Sequence, residues 1–242
     1  MIVVIMTLKK TVLVEVKMMP SAQLLKVVLS RLIAVPFVLM LFFFLPAGTW
    51  NYWQAWVYMG LMFIPMLFLL TYLLKNDPEL LERRMRMREQ RGEQKLIVKI
   101  SLIFFVLQFI LPGFDRRFGW SAVPFWGVIM ADVVVVLSYL VVFRVMMINS
   151  YASRVIEIAS GQKVIDTDLY AIVRHPMYIG VILMYIASPF ALGSYWAMIP
   201  AVLILPLLVA RIKDEEAALD KDLPGYLEYK QRTRYRLIPF VW

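Results

Sequence analysis

The chain has 242 residues, 62% of them hydrophobic, and a mean hydropathy of +0.73, well above the roughly 45–50% apolar content of ordinary soluble domains. Its zero cysteines exclude disulfides, thiolate metal sites and cysteine nucleophiles, and its single histidine excludes a histidine-rich metal centre. A net charge of +9 must therefore be reconciled with a protein that lives in lipid.

The first segment, MIVVIMTLKK, places its first charge at Lys9 and is followed by no small-residue cleavage site, so it does not read as a cleaved signal peptide. The following TVLVEV alternates in a way that suits a short strand, an interfacial segment or disorder. Residues 1–23 are therefore set apart as a segment of their own. From Leu32 to Leu74 there is no Lys, Arg, Asp or Glu, and the same holds from His175 to Ala210. About 20 apolar residues make one spanning helix, so each run accommodates a pair of spans, the second pair short. The pattern predicts six spans, at about 24–46, 52–74, 97–113, 120–143, 176–191 and 195–210. Residues 24–148 form the N-terminal membrane part, and residues 149–242 carry most of the polar chemistry. The expected fold is all-α, a polytopic bundle of about six transmembrane helices.

Of the 26 Lys and Arg residues, only Arg116 and Arg117 fall in loops on one side of this topology. Excess Lys and Arg marks the cytoplasmic side, so both termini are expected there, in a cell or inner membrane if the source is bacterial. The positive charge is then accounted for by topology and anionic lipid headgroups, with no nucleic-acid partner. Trp50, Trp53, Trp56, Tyr195 and Trp196 flank the links as interfacial anchors. The basic loop 75–99, which contains NDPELLERRMRMREQRGEQK, mixes charges at helical spacing and reads as a solvated or headgroup-facing helix. Asp132 lies inside the fourth span, where a carboxylate is costly; it is either functional or paired locally.

The last hairpin returns its two ends to one membrane face. That brings His175 and Tyr178, on one side, toward Arg211 and the acidic run Asp214, Glu215 and Glu216 on the other, a run expected to continue the sixth helix. Pro176 opens a helix, where its missing N–H costs little. An arginine beside carboxylates suits an anion together with a cation or hydroxyl groups. Taken singly, Arg174 and Arg211 fit membrane-edge anchors. No GxGxxG, GxxxxGK[ST] or GxSxG motif is present, so a nucleotide-like cofactor would bind without a Rossmann unit.

YAIVRHPMYIG, followed by DEEAAL and GYLEYKQRTRYRLIP, resembles the isoprenylcysteine carboxyl methyltransferase family and its bacterial relatives, and in looser form the phospholipid N-methyltransferases. The resemblance spans roughly 149–240. It implies an S-adenosyl-L-methionine-dependent membrane methyltransferase with a cytoplasm-facing cofactor pocket. By motif, Gln162, Lys163, Val164, Ile165, Tyr170, His175, Pro176, Met177, Tyr178 and Glu215 would contact the cofactor. Arg211 would orient the substrate, with Arg174 beside it, and Glu216 would be the second catalytic candidate. The implied acceptor is lipophilic or lipidated, most simply a carboxylate. An amine acceptor would need a base, for which Glu216 or His175 are the candidates. Relatives usually carry a glycine-containing pair before the tyrosine, where this chain has Asp168 and Leu169. They also often close through Val-Pro, where this chain has Arg234 and Tyr235. The ending YRLIPFVW also resembles NADPH-dependent sterol reductases of the C14/C7 type, which remain the alternative enzyme class. A non-catalytic transporter subunit would need midplane polar residues, and Asp132 is nearly alone there.

Overall fold

The computed structural model describes residues 21–85, 92–152, 158–159 and 161–242. The 1–20 segment, with its TVLVEV stretch, lies outside these residues, as do residues 86–91 of the basic loop. The described residues are helical, with no strand. In order they form α1 (Ser21–Ala47), α2 (Trp53–Asn76), α3 (Pro78–Met85), α4 (Gly92–Phe118), α5 (Phe125–Ile148), α6 (Leu169–Ile172), α7 (Pro176–Ala191), α8 (Met198–Asp222) and α9 (Tyr226–Arg232). Apolar runs become helices because lipid offers no partner for backbone N–H and C=O groups. Four of the helices, within α1, α2, α4 and α5, are long and apolar enough to cross a membrane, and α7 is a shorter apolar helix. Their outward side chains are exposed hydrophobics, among them Ile33, Leu45, Phe68 and Trp126, as a lipid-facing surface requires.

Several boundaries differ from expectation: the helix of the third span runs Gly92–Phe118, past 97–113, and that of the fourth runs to Ile148, past 143. The fourth span starts at Phe125, not near 120, because Pro124 is extended (φ −63°, ψ 152°) and forms the N-cap. The sixth helix runs on past 210, as expected for the acidic run that follows the span. It continues as one helix through RIKDEEAALDKD to Asp222, because Ile212, Glu216 and Ala218 are buried against other parts of the chain.

The centre is aromatic. Phe43 of α1, Tyr58 of α2 and Phe109 of α4 pack with ring centroids 5.8–6.0 Å apart. Some polar groups within this core find local partners: the Tyr58 hydroxyl lies 2.6 Å from Ser188 Oγ, and Gln108 Nε2 donates to the Tyr185 carbonyl at 2.9 Å, while Gln108 Oε1 has no partner among the described residues. The aromatic-rich loops gather at one end of the bundle. There the Asp115 carboxylate accepts from Ser121 and Ser194, and Arg116 donates to the Asn51 carbonyl at 2.8 Å. The opposite end holds α3, residues 149–152 and 161–175, the charged part of α8 and the tail.

Helix α7 lies closest to α5, and glycine makes this possible. A Cβ on Gly180 would sit 2.8 Å from Val142 Cγ2 and 2.9 Å from the Ser138 carbonyl oxygen. The carbonyl belongs to a helix backbone and cannot swing aside, so small residues at such crossings set the interhelical distance. Gly180→Ala is expected to destabilise the protein by about 1–3 kcal/mol, the usual cost of overpacking, read as a lower thermal-unfolding midpoint in detergent.

Candidate active site

The site is built where α7 begins. Pro176 occupies the first helical position and His175 is the N-cap, with no side-chain capping bond. Before them the chain is extended and pairs with the tail: Arg174 N donates to the Tyr235 carbonyl at 2.9 Å, and His175 N to that of Arg236 at 3.0 Å. Side chains reinforce this splice around Glu216. Arg174 Nε donates to Glu216 Oε1 at 2.7 Å, His175 Nε2 lies 3.2 Å from the same oxygen, and Arg236 Nε donates to Oε2 at 2.8 Å. The remaining Arg174 donors reach the carbonyls of Thr233 and Arg234 at 2.9 and 2.6 Å. Burial pushes the Glu216 carboxyl upward, but hydrogen bonds and charge from His175 and Arg174 outweigh it and hold the group at about 2.

Glu215 lies about 100° away around the same helix and faces a different set. Tyr178 donates its hydroxyl to Glu215 Oε2 at 2.8 Å, and Arg211 Nε donates to that hydroxyl at 3.1 Å. This chain of Arg211, Tyr178 and Glu215 borders a cavity of about 540 Å³. One part of the cavity wall is apolar, with Ile97, Leu102 and Phe105 of α4 facing Val181 of α7 and Leu207 of α8. The other is polar and aromatic, built from the 162–165 stretch, Tyr170, the start of α7 and the charged part of α8.

Gln162, Lys163, Val164, Ile165, Tyr170, His175, Met177, Tyr178, Arg211 and Glu215 all line this cavity, so nearly all the residues singled out in the sequence converge. Three sit differently. Pro176 is buried in the first turn of α7 and is not on the wall. Arg174 reaches the wall, but its guanidinium is committed to Glu216 and two tail carbonyls. Glu216, expected as a catalytic group, is 3% exposed, off the wall, and held by two arginines and a histidine. Its environment stabilises the charged form and leaves it poorly suited to accept a proton at neutral pH. Asp132 is also away from the cavity; it is 7% exposed and neither carboxylate oxygen has a partner among the described residues.

Other contributors were not apparent from the sequence. Arg84 of α3 lines the cavity and donates to the Ala152 carbonyl at 2.9 Å, while its neighbour Arg83 donates to that of Ser150 at 2.9 Å. The helix that reads as a solvated charged surface thus fastens the start of the 149–165 link. Tyr226 and Tyr229 of α9 also line the cavity. The Tyr229 hydroxyl donates to the Tyr170 carbonyl at 2.8 Å, and Tyr170 accepts from Asn149 Nδ2 at 2.7 Å. Burial pushes the Tyr170 hydroxyl up to about 12, so it stays protonated at neutral pH.

The departure at Asp168 has a conformational reading. Its φ is +56° and ψ −126°, a region that glycine adopts without steric penalty. Asp168 holds it by accepting from Leu169 N at 2.8 Å and from Arg144 Nε at 3.0 Å. The side chain secures this turn through a local hydrogen bond and an ion pair.

Comparison with known proteins bears on this geometry. Residues 128–221, under half of the chain, match the model of the isoprenylcysteine carboxyl methyltransferase (ICMT) family. The structure of the eukaryotic intramembrane Ras methyltransferase ICMT superposes with a TM-score of 0.52 and 16% identity, covering 92% of this chain and 88% of that one. The chain is ICMT-like in motif and in fold. The ICMT match begins inside α5 and ends within α8, so it includes the RHP segment, the α7–α8 hairpin and both glutamates. A Delta(14)-sterol reductase, TM7SF2 from Mus musculus, is 32% identical over 87 residues, 35% of this chain. The matched part is only 21% of that reductase.

Proposed function

We propose that this protein is an S-adenosyl-L-methionine-dependent methyltransferase that methylates a lipophilic acceptor carrying a carboxylate. The observation that carries the proposal is the two-part wall of the cavity. A polar, aromatic region around Gln162–Ile165, Tyr170 and Glu215 adjoins an apolar region between α4, α7 and α8. The residues fit the cofactor: a carboxylate suits its cationic or hydroxyl groups, and aromatic and aliphatic side chains suit a purine.

When bound, S-adenosyl-L-methionine supplies an electrophilic methyl group, whose bond to sulfur breaks as a bond to the acceptor oxygen forms, leaving a neutral thioether. A carboxylate acceptor is already an anion and requires no general base. The protein's contribution is then orientation and proximity. Arg211 would hold the acceptor carboxylate with its planar fork, and Tyr178, hydrogen-bonded to both Arg211 and Glu215, would couple it to the cofactor side. We assign Arg174 and Glu216 to holding the tail and the start of α7 in place.

An amine acceptor is the weaker reading, because Glu216 is locked in ion pairs and strongly favours its charged form. The expected orientation places the polar end at the cytoplasm, where cofactor is supplied, and admits the acceptor from the bilayer through the apolar region. The test is transfer of labelled methyl from S-adenosyl-L-methionine to prenylcysteine, fatty-acid and lipid-amine acceptors by detergent-solubilised protein. Base-released volatile methanol identifies a methyl ester and supports the proposal; base-stable product on the amine alone refutes the carboxylate assignment. The NADPH-dependent reductase reading has one specific observation in its favour, the partial identity to TM7SF2.

A further inference from the structure

Tyr226 is the first residue of α9, placed there by Gly225 in a left-handed turn (φ +82°). It is 4% exposed and lines the cavity, yet its hydroxyl has no hydrogen-bond partner among the described residues. The ring is held by packing: Tyr226 and Tyr229 lie 5.7 Å apart, and both pack with Leu223 against Ile158, Val164 and Leu219. All of these residues border the same compartment of the cavity. A buried hydroxyl without a partner is costly and uncommon, whereas the adjacent Tyr229 hydroxyl is satisfied by the Tyr170 carbonyl. Burial and the nearby carboxylates of Glu216 and Glu215, only partly offset by Arg174, push the Tyr226 hydroxyl well up from its ordinary value. It is therefore a donor and not a base.

We propose that Tyr226 is a ligand-binding residue whose hydroxyl donates to an acceptor atom on the adenosyl portion of the bound cofactor, in the polar, aromatic part of the cavity where Ile158 and Val164 pack against α9. This assignment rests on the methyltransferase reading and deepens it. The aliphatic side chains of Ile158, Val164, Leu219 and Leu223 match the faces of a purine, and the Tyr226 hydroxyl supplies a donor for its edge. The C-terminal helix thereby becomes part of the cofactor site and not only a brace for it.

The two hydroxyls of α9 make opposite predictions. Tyr226→Phe removes a group that has no partner until ligand arrives, so the ligand-free unfolding midpoint should hold or rise. The same change should weaken S-adenosylhomocysteine binding, measured by calorimetry, on the order of tenfold, as expected for one lost hydrogen bond in a desolvated site. Tyr229→Phe should instead lower the ligand-free midpoint, because it breaks an existing bond. Unchanged affinity in Tyr226→Phe, or a fall in its ligand-free midpoint, would overturn the assignment. If the wild-type protein itself fails to bind S-adenosylhomocysteine, the methyltransferase reading fails first and this assignment falls with it.

Discussion

Glu216→Ala is expected to cost about 3 kcal/mol or more of stability, the range found when one member of a buried ion pair is removed. Arg174, with a side chain only 5% exposed, would be left as a buried charge with two carbonyls but no counter-ion. Arg236, at 30% exposed, would recover part of its loss in solvent, so the larger share comes from Arg174. The splice of residues 174 and 175 onto the tail should loosen, and cofactor binding should suffer indirectly. Linkage gives a second signature. Because the folded protein holds Glu216 at about 2 against an ordinary 4.5, its contribution is fully present above about pH 4.5 and is lost as pH falls toward 2. Unfolding midpoints measured across that window should fall less steeply in Glu216→Ala than in the wild type. Equal slopes would show that Glu216 is not the clamp described here.

Arg211→Ala should leave the fold and cofactor affinity largely intact while lowering kcat by about 10²–10³, the scale of losing one preorganised charge contact. Arg211 belongs to the cavity wall and reaches Tyr178, not the Glu216 cluster, so its loss should not reproduce the instability of Glu216→Ala. Arg211→Lys keeps the charge but not the planar pair of donors, and should recover only part of the rate. The measurement is steady-state methyl transfer at saturating cofactor, with acceptor concentration varied. Full activity in Arg211→Ala would remove this residue from the reacting centre. A shared fall in Tm and affinity would make it a structural residue.

The membrane helices and the convergence of residues 175–178 with 211–215 were legible because both follow from uncharged run length and hairpin return. Which glutamate faces the cavity was not legible. Glu215 and Glu216 are neighbours in sequence, and only the packing of α8 decides that one meets Tyr178 while the other meets Arg174, His175 and Arg236. The role of α3 was hidden for a related reason. Arg83 and Arg84 have the spacing of a solvated helix, and their partners are backbone carbonyls of residues 150 and 152, which carry no signature in side-chain identity. The tail was visible as motif but not as structure: its pairing to residues 174 and 175 is backbone to backbone across some 60 positions. The continuation of α8 to Asp222 was foreseen in outline, since its charged half still buries one apolar face.

The most direct test of the central claim is calorimetric titration of detergent-purified protein with S-adenosylhomocysteine, beside NADPH, in the wild type and in Glu215→Ala. The account predicts that S-adenosylhomocysteine alone binds in the micromolar range and that Glu215→Ala abolishes the signal in folded protein. Binding of NADPH alone would contradict it and transfer the cavity to the reductase class.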